Sequence, residues 1–233
     1  MGVEIPSWLV TGLDSKLPAD PNLSAGASVR FWMPKGSERQ IIFLVNGVES
    51  ISVFEHNVRL NGHWRNWFTC LKVLGRPCPL CDWADSHRGE FKRYPVTIFS
   101  VIDTHSYEDR AGKKHSNERR LLCCKSDTAD VLKRKWLTRI EAGQDLRGAM
   151  FKVFRSNGDK SPGVGDDFEF TRMVDLASFP ESEPLDVAEL VKPDGERVRA
   201  CVDRLRRGLS DESPAPFGSG SSGVEGTDIT VSY

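Results

Sequence analysis

Residues 51–81 read ISVFEHNVRLNGHWRNWFTCLKVLGRPCPLC, and the fold turns on this stretch. Ile51 to Leu60 is a β-branched and aromatic run, Asn61-Gly62 supplies residues that tolerate positive φ, and Trp64 to Leu71 resumes the strand pattern. A β-hairpin ending near Cys70 is expected. Cys78-Pro79-Leu80-Cys81 follows at the spacing that lets two thiolates converge on one tetrahedral zinc, with Cys70 close ahead of it. A fourth ligand is needed. His56 is favoured and His63 comes second, while His87 follows the motif. One ion so held clips two strand ends and the intervening loop together.

Outward from the hairpin the strand signature recurs at Val29 to Trp32, Ile41 to Val45, Val96 to Ile102 and Arg119 to Cys124, with Asn46-Gly47 as a further hairpin turn. Ser126 opens a helix on which Ala129, Leu132, Trp136 and Ile140 form one apolar stripe, and Gly143 ends it. Ala149 to Arg155 and Asp167 to Val174 add two strands. Strands, one helix, then strands suit a mainly β chain: an OB-fold-like five-stranded barrel with an inserted zinc-binding subdomain and one or two packed helices. The expected organisation is an irregular leader at 1–27, an OB-fold core at 28–175 containing the zinc subdomain at about 54–92, and a helical extension at 176–207. The extension carries a helix from Asp194 to Leu209, and a disordered acidic tail at 208–233 follows.

Composition narrows the class. The chain has 233 residues, 39% hydrophobic and 28% charged, which excludes collagen-like, coiled-coil and wholly disordered readings. No apolar run approaches the ~18 residues of a membrane span, and the N-terminus lacks a secretory signal, so a cytoplasmic location without membrane contact is expected. There the six cysteines stay reduced. The net charge of -1 conceals an asymmetry: residues 30–160 hold 24 Lys and Arg against 15 Asp and Glu, and the remainder hold 8 against 18. A basic body between acidic flanks is the footprint of a polyanion binder whose acidic segment competes for the same surface.

Aromatic and basic residues interleave where that partner would bind. Arg59, Trp64, Arg65, Trp67, Lys72 and Arg76 surround the cysteine knuckle. Lys92, Arg93 and Tyr94 form a second group, and Tyr107, Lys113, Lys114, Arg119 and Arg120 a third, in what reads as a long mobile hairpin. Single-stranded nucleic acid needs this mixture, cations for phosphates and flat rings for unpaired bases. On a strand Arg65, Trp67 and Thr69 share one face and Trp64 the other, so Phe68 goes to the core while Trp67 is either core or platform. Cys123, Cys124 and Cys201 read as core and surface thiols.

Enzymatic readings fare worse. CxxC also serves redox chemistry, but at a helix start after a buried strand, whereas Pro79 and the flanking turn residues suggest a knuckle. A zinc deaminase needs a glutamate two residues after its first ligand, and His56 is followed by Asn57 and Val58. Four protein ligands leave no position for an activated water, so the zinc would be structural and the chain no enzyme. The alternative class is a zinc-stabilised protein-interaction adaptor, or an RNA-binding protein using the same basic groove.

The order His56, Cys70, Cys78, Cys81 inside a basic β body, the phrase LRGAMFKVFR at 146–155 entering a late strand, and the acidic tail together resemble the phage single-stranded DNA-binding proteins of the T-even helix-destabilising type. The likeness covers roughly residues 30 to 175. It implies an OB-fold with an embedded zinc subdomain that coats single-stranded DNA during phage replication, recombination or repair in the host cytoplasm. It further implies that the tail contacts replication or recombination proteins.

Overall fold

The computed structural model describes residues 10, 11, 29–60, 63–108, 112 and 114–210. Most of the expected leader, and residues 211–233 of the expected tail, lie outside the described residues. The chain is mainly β. Its main sheet contains β1 (Val10–Thr11), β2 (Glu38–Phe43), β3 (Ile51–Leu60), β4 (His63–Thr69) and β5 (Tyr94–Asp103). A two-stranded ribbon of β6 (Tyr107–Glu108) and β7 (Lys114–His115) stands apart, before β8 (Glu118–Lys125), β9 (Ala149–Phe154) and β10 (Asp167–Met173) return to the sheet. The helices are α1 (Pro79–Ser86), α2 (Ser126–Glu141), α3 (Val187–Leu190) and α4 (Gly195–Ser210).

β5 organises the antiparallel sheet. Along one edge it pairs with β8 from Val96 to Asp103. Its other edge is shared, with β3 on Tyr94 to Ile98 and β2 on Val101 to Asp103. β2 leads on to β9 and β10, whereas β3 carries the hairpin partner β4. A single ten-residue strand thus supports two bodies, which a five-stranded barrel does not require. Among the described residues the ladder does not close into a barrel. Instead an extended segment runs between β8 and the turn before β10, where Phe31 N donates to Leu121 O at 2.9 Å and Met33 N to Gly163 O at 3.0 Å.

Alternation along β2 sends Ile41 and Phe43 to one face and Ile42 and Leu44 to the other. The first face holds the largest rings. Phe43 meets Phe99 and Phe151 edge-on, with both centroid separations 5.4 Å, while Leu132 and Trp136 of α2 cover the cluster. Each such side chain stabilises the fold by ~1.5–3 kcal/mol on burial. On the second face Ile42, Leu44, Ile102 and Met150 are covered by Val174, Leu176 and Phe179, which follow β10. From there the chain passes Ser100, whose Oγ accepts from Leu185 N at 2.9 Å, and reaches the β3–β4 end. There Val187, Val191, Val198 and Val202 join Phe54, Phe68, Leu80 and Trp83 in a third cluster.

Two local expectations change. Asn46-Gly47 does not make a hairpin, because β2 pairs with β5 and β9 rather than β3, and Gly47–Glu49 is a 3-10 turn. Glycine is required there for a different reason: a Cβ would lie 2.4 Å from Cε2 of Trp136. On α2 the buried line is Thr128, Leu132 and Trp136, joined by Arg139 at 6% exposure, and Ile140 is 44% exposed. The helix ends as expected at Gly143, with φ of +71°. α4 starts where Asp194 Oδ1 accepts from Glu196 N and Arg197 N, each at 2.9 Å. Its apolar edge docks, and Arg197, Arg199, Arg204, Arg206 and Arg207 stay exposed. Among the described residues no helix is long and apolar enough to cross a membrane.

Candidate metal centre and basic surface

The β3–β4 hairpin delivers His56 from its first strand and, just past its second, Cys70, which caps the 3-10 turn Leu71–Leu74. Cys78 is the N-cap of α1, with Pro79 at the first helical position, and its carbonyl accepts from Cys81 N at 2.9 Å and Asp82 N at 3.1 Å. The first turn of α1 therefore turns Cys81 back toward Cys78. His56, Cys70, Cys78 and Cys81 are all buried, and their ligand atoms lie within 4.8 Å of one another. His63 has its side chain outside the described residues.

The distances suit a small tetrahedral cation. Bonds of ~2.3 Å to sulfur and ~2.0 Å to nitrogen place ligand atoms ~3.5–3.8 Å apart across a tetrahedron. Cys70 Sγ is 3.5 Å from Cys81 Sγ, and His56 Nε2 is 3.7 Å from both Cys78 Sγ and Cys81 Sγ. His56 Nδ1 meets Phe91 O at 2.7 Å, a partner that accepts only, so the proton sits on Nδ1 and Nε2 keeps its lone pair. Lys72 N donates to Cys70 Sγ at 3.3 Å. Hydrogen bonds from Cys70 and Cys81 pull the Cys78 thiol well below its ordinary range, while burial and its bond to Cys78 push Cys70 up.

The other candidates fall into two groups at opposite ends of β5, about 30 Å apart for nine steps of ~3.3 Å. At the metal end Arg59, Lys72, Arg76 and Lys92 are exposed and Arg93 is half-buried. Lys72, Arg76 and Lys92 form no ion pair with any described carboxylate. Trp64 and Arg65 lie on β4, with side chains outside the described residues. Phe68 is in the core at 4% exposure, whereas Trp67 is half-buried and joins none of the apolar clusters. Tyr94 is committed locally. Its hydroxyl donates to Glu55 Oε2 at 3.0 Å, Lys125 Nζ lies 4.1 Å over its ring, and burial together with Glu55 pushes its pKa up.

At the far end the two arginines are paired with carboxylates. Arg119 Nε pairs with Glu181 Oε2 at 2.8 Å, and Arg120 pairs with Glu118. Tyr107 donates to Glu118 at 3.1 Å and stacks on His115, with centroids 4.7 Å apart. Lys114 is exposed on β7, and Lys113 lies outside the described residues. Cys124 is buried among the rings, Cys201 is buried beside α1, and Cys123 is half-buried.

Sequence reading missed a buried ion pair. Arg30 meets Glu55 at 3.0 Å and 2.5 Å with side-chain exposures of 7% and 1%, and its guanidinium lies 4.4 Å from the Trp67 ring centroid. The available signal was Arg-Phe-Trp-Met at 30–33, in which alternate residues face the core. Comparison with protein-family models finds no match, and neither does a search of curated proteins.

Proposed function

We propose that this chain is a non-enzymatic, sequence-independent single-stranded DNA-binding protein with one structural zinc ion. The observation that carries the metal assignment is the buried cluster of three sulfurs and one fixed imidazole, whose softness and spacing select zinc among common divalent ions. All four positions come from the protein and are 0–4% exposed, which leaves no place for a reacting water. The ion braces the base of the β3–β4 hairpin and so presents Arg59 and Trp67 on a rigid support.

The nucleic-acid reading rests on the net charge concentrated in residues 30–160, and on exposed Lys72, Arg76 and Lys92 around the metal lobe. The resemblance to phage helix-destabilising proteins supports it, as does the link that segment 29–33 makes between β8 and the turn before β10, the gap an OB-type barrel would close. Coating of single strands in phage replication, recombination or repair, in a host cytoplasm, belongs to the same proposal. So does contact of the acidic 208–233 tail with replication or recombination proteins. Competition of that acidic segment with DNA for the basic surface is part of the same proposal, and its deletion should tighten binding at low salt.

Elemental analysis should return one zinc per chain, and a titration with oligo-dT should quench tryptophan fluorescence. If about five phosphates are met, log affinity falls with log salt at a slope near about -3.5, and a salt-independent affinity refutes the mechanism. Competition among oligo-dT, oligo-U, duplex DNA and heparin tests the ligand class. Preference for oligo-dT supports the proposal, preference for oligo-U makes the protein an RNA binder, and equal binding to all reduces the surface to a basic adaptor.

A further inference from the structure

We infer that Trp32 and Trp67, each backed by an arginine, form the base-stacking platform of this protein, an assignment that rests on the single-strand reading above. Phe31 and Met33 are 2% and 0% exposed, so alternation along the extended segment turns Arg30 and Trp32 to the opposite side from the Phe43 cluster. Trp32 is 50% exposed, the most open aromatic ring among the described residues. Arg155 lies 5.7 Å from its ring centroid and is itself fixed by carbonyls, with Nη1 donating to Met33 O at 2.5 Å and Nη2 to Ser161 O at 3.3 Å.

Trp67 is held in a parallel way. The buried Arg30 guanidinium stands 4.4 Å from one face of the indole, and Glu55 locks that guanidinium in place. The ring is half-buried and belongs to none of the apolar clusters formed by the described residues. Arg30 and Trp32 are alternate residues, about 7 Å apart along an extended chain. One short segment therefore carries the Trp32 ring itself and, through Arg30, braces the Trp67 ring of β4. A guanidinium under each indole fixes its plane and draws electron density from the ring, which favours stacking with a base on the other side. Arg30 and Arg155 are positioning residues here, because neither guanidinium is offered to a phosphate.

The test compares Trp32→Ala, Trp67→Ala and Lys72→Ala in oligo-dT titrations over a salt series, followed by tryptophan fluorescence with far-UV circular dichroism as the folding control. Each tryptophan variant should lose about 5- to 150-fold in affinity with the salt slope unchanged, and the loss should vanish on an abasic oligomer of equal length. Lys72→Ala should instead reduce the slope by ~0.7 and act equally on both oligomers. The double variant Arg30→Met/Glu55→Leu, which removes both buried charges together, should lose as much as Trp67→Ala and add nothing to it. Failure of the wild-type protein to bind oligo-dT sinks the single-strand reading itself. Binding by the wild type with Trp32→Ala unaffected, or with equal losses on the abasic oligomer, overturns the platform alone.

Discussion

Removal of the metal should loosen the two ends of the chain unequally. Cys70, Cys78 and Cys81 share one apolar cluster with Val187, Val191, Val198, Cys201 and Val202, all at most 7% exposed, so α4 packs on a surface that the candidate ligands themselves help to form. With metal at a thousandfold excess over its dissociation constant, linkage contributes ~4.1 kcal/mol to the folded lobe. Chelation forfeits that amount, equivalent to about a thousandfold faster amide exchange wherever opening of the lobe governs exchange. Hydrogen exchange read by mass spectrometry, with and without chelator, should show β3, β4, α1 and α4 losing protection together. β9 and β10, whose Phe151 and Phe168 pack with Phe43 and Phe99 in a separate cluster, should keep theirs. If α4 stays protected while α1 is lost, the metal does not support the C-terminal helix and the shared-core reasoning is wrong.

Arg30→Met should cost ~3–5 kcal/mol because it strands the Glu55 carboxylate at 1% exposure, and Arg30→Met/Glu55→Leu should recover most of that; urea melts of the three proteins check it. Gly47→Ala should cost ~1–3 kcal/mol by driving a methyl into Trp136, seen as a lower melting temperature with a changed near-ultraviolet tryptophan band. Glu118 is raised by burial but lowered more by its bond from His115 and by Arg120, so its folded pKa lies below the usual value of 4.5. Its stabilisation of the β6–β7 ribbon is therefore complete above about pH 4.5 and lost as pH falls through the depressed value. Protection of the ribbon amides relative to their intrinsic exchange rate should fall across that window, and Glu118→Gln should abolish the fall.

Much of this architecture was readable beforehand. The β3–β4 hairpin, the helix after Ser126, the late strands and α4 follow from periodicity and turn chemistry, which act within a few residues. The four candidate ligands were legible because CxxC spacing and a hairpin bring them together locally. What could not be read depends on distant partners. Nothing near Asn46 says that β2 will ignore β3, since that choice is made by the long edge of β5. Nor does the sequence near Ile140 reveal that α2 turns Arg139 inward to stack on Phe170, with its guanidinium 3.8 Å from that ring. The pairing of Arg119 with Glu181, and of Arg30 with Glu55, joins residues 62 and 25 positions apart, beyond the reach of any local pattern.

The path of the chain after β10 also bears on how the molecule comes into being. Val174, Leu176 and Phe179 finish one side of the sheet, and the valines from 187 to 202 finish the metal lobe. During translation the first side stays open until residue 179 has left the ribosome, and the second until residue 202 has. Ile42, Ile102 and Met150 stay uncovered in the meantime, an apolar face open to non-native contacts while residues 174–179 are still being made.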